Sequence, residues 1–523
     1  MFRKLRFLLF AGALGGIVLV FASQWKQLAD RPLWLDELHT SWVIANGWSG
    51  ALPRANISNQ GPLYFLSVSV VTSKTEPTKQ SLRLLSGIAH GIAILCIGLI
   101  VVRWFRSPLL GLVVAWMYAF HDWQLWYAAE ARCYSLVALL SIVQIALLVE
   151  LISSGATEQS RGVRWSIGLV WVLLAIVLFY IHYTTIVLTF AQLAFFAGLC
   201  VKWPERVNDY TFRFRTLLLT GLFVALLPGI WHASSITGRN YDWQLISDVR
   251  QFIGFQISAG VTLLGLPVLL LVACWLVEPT RTAILDVRLV ILFVGSLIPG
   301  LMIMALESGS ILHLAHPRFA IGSLAITFLL SAGLLAKIPH DRLRMLGILA
   351  TIVLFSVTNS GPLSPVRQVG SNLEIPMGRT GTIQVEDWES MAFEIRQRLA
   401  HQIKPVFVFP NLVEDSYYSR YPSAALDDYY RFPLAGIYNF SRLGDVPLAG
   451  RSLESKLPFR AEDLLAMASF SGGICLVRGD KATLQYLLSK CERQFNDGNV
   501  ALKIDPNILQ QGVLHLFELE FRE

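Results

Sequence analysis

Pro62-Leu63-Tyr64-Phe65-Leu66-Ser67-Val68-Ser69-Val70-Val71-Thr72-Ser73 is the stretch on which the topology turns. It is apolar enough to enter a bilayer, but its dozen residues reach only about 18 Å as a helix, against a hydrocarbon core of about 30 Å. It reads as a short helix lying in the membrane interface. Leu33–Ile44 reads the same way, with Trp34, Leu35, Leu38 and Trp42 near helical spacing and Asp30 and Pro32 marking the start.

On either side of these segments the chain is built for lipid. Of its 523 residues, 54% are hydrophobic and only 15% charged, where a soluble domain carries roughly 25% charge. Spans are expected at 7–23, 82–102, 109–127, 133–152, 165–181, 184–201, 216–233, 251–277, 287–306, 318–336 and 343–360, about eleven in all. With Pro62–Ser73 left out of the count, the basic clusters all fall on one side. These are Arg3/Lys4/Arg6, Arg103/Arg106, Arg161/Arg164, Lys202/Arg206/Arg213/Arg215, Arg281/Arg288 and Lys337/Arg342/Arg344. Counting it as a span would flip every later cluster outward, so the positive-inside rule supports the short helix. The N-terminus is then cytoplasmic, and residues 361–523 lie outside. The first span reads as a retained anchor rather than a cleaved leader.

The net charge of +7 is spread over these loops and forms no patch, which argues against nucleic acid. The six cysteines show no metal-ligand spacing. Cys96, Cys200 and Cys274 sit within apolar runs, whereas Cys475 and Cys491 share the C-terminal region, and spacing leaves their pairing open.

Unusual residues collect on the outer side. The first outer loop holds Asp36 and Glu37, and the next turn runs Trp126 to Tyr134 through Glu130 and Arg132. The third is the short Tyr180-Ile181-His182-Tyr183, and the fifth holds Glu307, His313, His316 and Arg318. Trp123, Trp126 and Tyr127 read as an interface belt. Charges at membrane depth mark function when they converge. A carboxylate in a wet cavity there suits a general base or a divalent metal ligand, and arginines suit a phosphate.

The motifs Trp34-Leu35-Asp36-Glu37, Gly61-Pro62-Leu63-Tyr64, Ser81-Leu82-Arg83-Leu84-Leu85-Ser86 and Tyr127-Ala128-Ala129-Glu130-Ala131-Arg132-Cys133-Tyr134 follow in the order seen in GT-C glycosyltransferases. His316-Pro317-Arg318-Phe319 is similar to the Pro-Arg-Tyr that opens a late span in them. The resemblance is to the protein O-mannosyltransferase and aminoarabinose transferase type. It implies a GT-C fold and inverting transfer of a hexosyl or pentosyl group from a polyprenyl-phosphate donor to a lipid, glycan or protein hydroxyl. It further implies Asp36 as base or ligand of a divalent metal (Mg, Mn or Zn), with Glu37 beside it as the second catalytic carboxylate. Arg83, Glu130, Arg132 and Tyr134 would bind substrate, and His182 and Arg318 join them by position. Where the aminoarabinose transferases carry an arginine three residues after the aspartate, this chain has His39, and donor-phosphate binding would rely on a metal or on His39. The other readings are a transporter or flippase of lipid-linked sugars and a non-catalytic assembly subunit. Clustering of the charges at one face argues against transport.

The expected fold class is therefore a polytopic α-helical membrane protein, residues 1–360, with interfacial helices in its first outer loop, followed by a soluble α/β domain, 361–523. In that domain Trp388–His401 and Lys481–Gln494 read as helices, and Pro405–Pro410, Gly473–Val477 and Val513–Phe521 as strands. Asp415, Tyr417, Tyr418 and Asp427–Tyr430 read as a solvated acidic, aromatic loop. Basic loops and an outer globular domain suit a bacterial inner membrane.

Overall fold

The computed structural model describes residues 2–57, 61–73, 77–153, 161–202, 219, 221–230, 249–277, 286–309, 315–359, 367–369, 372–376, 382–412, 424–438, 440, 447–498, 502–505, 507–511 and 513–521. Gln60, His313, Asp415, Tyr417, Tyr418 and the basic loop residues Arg206, Arg213, Arg215 and Arg281 lie outside them.

The membrane part runs α1 (Phe2–Leu28), α2 (Leu35–Ile44), α3 (Gly47–Ile57), α4 (Pro62–Thr72), α5 (Lys79–Phe105), α6 (Pro108–Ala119), α7 (Asp122–Ala128), α8 (Tyr134–Ser153), α9 (Arg161–Ile181) and α10 (Ile186–Lys202). It continues with α11 (Gly221–Ile230), α12 (Val249–Gly260), α13 (Leu266–Val277), α14 (Val287–Ser308), α15 (Ile321–Ala336) and α16 (Asp341–Thr358). Among the described residues six helices are long and apolar enough to cross a bilayer, and shorter apolar helices fill most of the other expected positions. The chain is a polytopic helical membrane protein with a C-terminal sheet.

Local chemistry sets the boundaries. Thr78 caps α5 by accepting from the Ser81 amide at 3.1 Å, and α5 ends on Arg106 in the left-handed region at φ 56. Ser107 then caps α6, with Pro108 in its first turn. The single span expected at 109–127 is broken instead. α6 stops at Ala119, and a new helix starts after His121, so α7 folds back into the bundle against α5 and α8. Trp123, Trp126 and Tyr127 go with it and are buried inside the protein, which corrects the belt reading. The span expected at 251–277 is continuous but carries a π-helical turn at Val261–Gly265 between α12 and α13.

α4 is the expected short helix. Tyr64, Phe65 and Val68 face inward, while Val70 and Val71 are exposed. Its entry is fixed by close backbone approach, because a Cβ on Gly61 would lie 2.4 Å from the Tyr180 carbonyl oxygen. α2 is covered by the rest of the protein: every residue except Asp36 is buried. What covers it is the C-terminal part of the chain.

That part contains the antiparallel ribbon β1 (Arg367–Val369), β2 (Asn372–Pro376) and β3 (Thr382–Val385). A mixed sheet follows, of β4 (Val406–Phe409), β5 (Leu448–Gly450), β6 (Gly472–Arg478), β7 (Leu502–Ile504), β8 (Leu509–Gln511) and β9 (Leu514–Phe521). Its order is β5-β4-β6-β9-β7, with β8 also pairing β9; β4 runs parallel to β5 and β6, and β9 is antiparallel to β6. The helices are α17 (Trp388–His401), α18 (Ala424–Tyr430), α19 (Phe432–Ala435), α20 (Ala461–Ser469) and α21 (Lys481–Asp497). Val406–Phe409 is buried throughout, as its apolar run requires. Cys475 and Cys491 are both buried thiols with no disulfide.

The segment read as a solvated loop is helical where described, at α18, and packs on the membrane part. Tyr429 and Tyr430 are buried, and the Tyr429 ring lies 5.6 Å from that of Trp42. Asp428 pairs with Arg54 at 2.9 Å and Asp427 with Arg460 at 2.6 Å. Gly436 comes so close to α2 that a Cβ would stand 2.8 Å from the Ser41 hydroxyl. An acidic, aromatic composition looks solvated in sequence; partners some 370 residues away in the chain bury it.

Candidate active site

The first outer-loop helix divides its two carboxylates by geometry. Adjacent residues on a helix point about 100° apart, so with α2 wedged against the bundle one faces in and the other out. Glu37 faces in and is fully buried. Its Oε1 accepts from Arg83 Nε at 2.6 Å and the Ala131 amide at 2.8 Å; Oε2 accepts from Arg83 Nη2 at 2.5 Å and the Trp34 amide at 3.3 Å. Arg83 spends its remaining donors on the carbonyls of Ala29, Arg31 and Pro32. Burial pushes the Glu37 carboxyl up, but Arg83 and the other donors hold it below the usual range. Every donor of Arg83 is used within the protein, so this pair, expected at the substrate, ties α2 to α5 instead.

Asp36 faces out, with 28% of its side chain exposed. Arg318 Nη1 donates to its Oδ2 at 3.2 Å, and Arg132 Nη2 stands 3.8 Å from the same oxygen. Burial opposes ionisation, yet Arg132 and Arg318 outweigh it and keep the Asp36 carboxyl below its ordinary value. The two arginines come from different parts of the chain. Arg132 sits in the turn before α8, stitched in place because Thr40 donates to the Ala131 carbonyl at 2.8 Å and Ser86 to the Arg132 carbonyl at 2.9 Å. Arg318 sits in the turn that opens α15, capped by His316 Nδ1, which accepts from its amide at 3.3 Å. The Nε atoms of both arginines are buried without a hydrogen-bond partner.

Tyr134 and His182 line the same end of the bundle. The Tyr134 ring lies 5.8 Å from that of His182, which lies 5.6 Å from Phe319; His182 Nδ1 is 2.7 Å from the Thr184 hydroxyl. Glu130 is also there, buried, with Oε2 unpartnered. Burial and then the neighbouring Glu37 push its carboxyl up to about 8, against the pull of Arg31 and Arg132.

His39 departs from expectation. It lies one turn along α2 in a cage of Trp42, Phe65, Tyr429 and Phe432, at ring distances of 5.8, 5.6, 5.9 and 5.5 Å. Burial, then Arg132, lowers its pKa to about 3. A neutral imidazole boxed in by rings supplies no cation for a phosphate. The divalent metal envisaged on Asp36 also finds a poor donor set. Among the described residues no three His, Cys, Asp or Glu side chains cluster, and Asp36 already stands between two guanidiniums.

Arg31, which no sequence motif marks, holds its guanidinium 3.7 Å above the Trp126 ring with Nε, Nη1 and Nη2 all without a hydrogen-bond partner. The available signal was an arginine in an outer loop, on the side where basic residues are scarce. Arg478, at the end of β6, is likewise unmarked by any motif; its charge reaches Asp36 while its Nε donates to Glu386 at 2.7 Å.

With this geometry, the solved structures similar to the chain fall into place. One is ArnT from Cupriavidus metallidurans in the apo state, with a TM-score of 0.54 and 11% identity over 97% of this chain and 98% of that one. Another is ArnT from the same organism bound to undecaprenyl phosphate, with a TM-score of 0.50 and 12% identity over the same shares. No family model and no curated protein matches the sequence. The chain shares the fold of these ArnT structures over nearly its whole length. At this identity the likeness extends to the fold, and the chemistry rests on the residues above.

Proposed function

We propose that this chain is a glycosyltransferase that moves a sugar from a polyprenyl-phosphate donor to an acceptor hydroxyl on a lipid, glycan or protein. The observation that carries the reading is Asp36: the one unburied residue of α2, ionised, and aligned between Arg132 and Arg318. A fold shared with a protein crystallised with undecaprenyl phosphate supports a carrier of that class.

The arginines hold the donor phosphate through charge-assisted hydrogen bonds and take up the negative charge that grows on it as it leaves. Asp36 accepts the proton of the acceptor hydroxyl as its oxygen attacks the anomeric carbon. The bond from that carbon to the phosphate oxygen breaks, and attack from the opposite face inverts the centre. Glu37 and Arg83 are positioning residues that set the phase of α2. Because two guanidiniums occupy the space beside Asp36, the transfer proceeds without a divalent metal. The basic loops on the opposite side orient the site outward, with the N-terminus cytoplasmic and the sheet domain periplasmic in a bacterial inner membrane.

The test uses the full chain in detergent with labelled undecaprenyl-phosphate sugars and a membrane extract as acceptor source. Transfer is expected, unaffected by chelator and reduced by roughly a thousand-fold in Asp36→Asn, whose melting temperature stays near that of the parent. Transfer that persists in Asp36→Asn defeats the mechanism.

A further inference from the structure

Near Asp36 the structure buries two ionisable side chains whose hydrogen bonds are incomplete. Arg31 is 6% exposed, and none of its three guanidinium nitrogens has a partner. Its backbone is pinned, since its carbonyl accepts from Arg83 Nη1 at 2.8 Å, and its flat face is held on Trp126. Glu130 is 1% exposed with Oε2 unpartnered. The two feel each other's charge without bonding, and Glu130 also feels Asp36 and Arg132. Unmade hydrogen bonds on buried charged groups are costly and are kept where a ligand completes them.

The mixed polarity decides the class of ligand. A phosphate drawn to Arg31 would meet Glu130 and Glu37. An ammonium drawn to Glu130 would meet Arg31 and Arg83. A neutral ring bearing hydroxyls suits both, because its oxygens accept from the guanidinium and its hydroxyls exchange hydrogen bonds with the Glu130 carboxyl, which accepts and, when protonated, also donates. We propose that Arg31 and Glu130 form the subsite for the donor's sugar, and that this sugar is neutral and polyhydroxylated, carrying no amino group. The proposal rests on the glycosyltransferase reading above. It leaves Arg132 and Arg318 to the phosphate and sets the sugar beside Asp36, with Trp126 fixing the plane of the guanidinium.

The experiment measures binding to the full chain in detergent, without acceptor, of three probes. They are bare undecaprenyl phosphate, the same lipid carrying a neutral hexose, and the same lipid carrying an amino-pentose. The neutral-sugar donor should bind about ten-fold tighter than the bare lipid, the worth of one or two hydrogen bonds to charged groups. The amino-sugar donor should gain nothing. Arg31→Gln and Glu130→Leu, each checked for an intact melting transition, should lose the gain while keeping the affinity for bare lipid. Bare-lipid binding with no gain from the neutral sugar, a gain that survives both substitutions, or an equal gain from the amino sugar overturns the subsite alone. Failure of every probe to bind, or binding indifferent to Arg318→Ala, overturns the glycosyltransferase reading and the subsite with it.

Discussion

The buried charges of the C-terminal sheet and those at the loop end of the helix bundle are handled in opposite ways. In the sheet domain Arg451 donates Nε to Asp463 at 2.7 Å and Nη1 to the Gly450 carbonyl at 2.8 Å, and its Nη2 also meets Asp463. Glu518 is shared between Arg398 and Lys404 at 2.9 and 2.5 Å. At the bundle end one pair, Arg83 and Glu37, is just as complete. Around it stand Arg31, Glu130, Arg132 and Arg318, each with buried atoms that bond to nothing in the protein. The sheet-domain charges named here find their partners within the fold, whereas those around Arg83 and Glu37 are left short of bonds, as the proposed ligand-binding role requires.

Substitutions should therefore sort by this division. Arg83→Leu strands the Glu37 carboxylate in the interior and should cost roughly 3–5 kcal/mol, seen as loss of folded protein or a large drop in melting temperature. Arg31→Leu removes a buried cation that has no hydrogen-bond partner and should act in the opposite direction. It should raise the melting temperature of the ligand-free protein by the equivalent of about 1–3 kcal/mol, while sugar transfer falls. If Arg31→Leu destabilises as Arg83→Leu does, the two arginines are alike and the comparison fails.

A smaller effect should follow pH. The Glu130 carboxyl is raised in the folded protein from 4.5 to about 8, so the fold prefers its protonated form. Its contribution is fully present below pH 4.5 and is lost as pH rises through 8. The melting temperature of the parent, followed relative to Glu130→Gln, should fall across that window. A flat difference would mean that Glu130 is bonded or solvated and no part of an open subsite. Asp36, held low by its arginines, should add no such dependence in that range.

Much of the site was legible from motif order and common sidedness. Asp36, Glu130, Arg132, Tyr134, His182 and Arg318 do converge at one end of the bundle. The roles of their neighbours were not legible. Asp36 and Glu37 are one residue apart and chemically alike; what separates them is which face of α2 meets Arg83 and the Ala131 amide, 46 and 94 residues away. His39 reads as a cation replacement until Tyr429 and Phe432, from the far end of the chain, close a cage on it. No motif marks Arg31, and only the fold stacks it on Trp126.

The sequence by itself determined the class of protein, because hydropathy, helix length and the distribution of basic residues are local quantities, and a bilayer allows few answers to them. It likewise determined that α4 is too short to span, and it placed the first and last main strands of the C-terminal sheet. Only the tertiary structure decided that the span expected at 109–127 breaks and turns inward, that α2 is buried beneath the C-terminal region, and which of two adjacent carboxylates stays open. Those outcomes depend on helix phase and on partners far away in the chain, where a rotation of about 100° exchanges a buried ion pair for a partly exposed carboxylate.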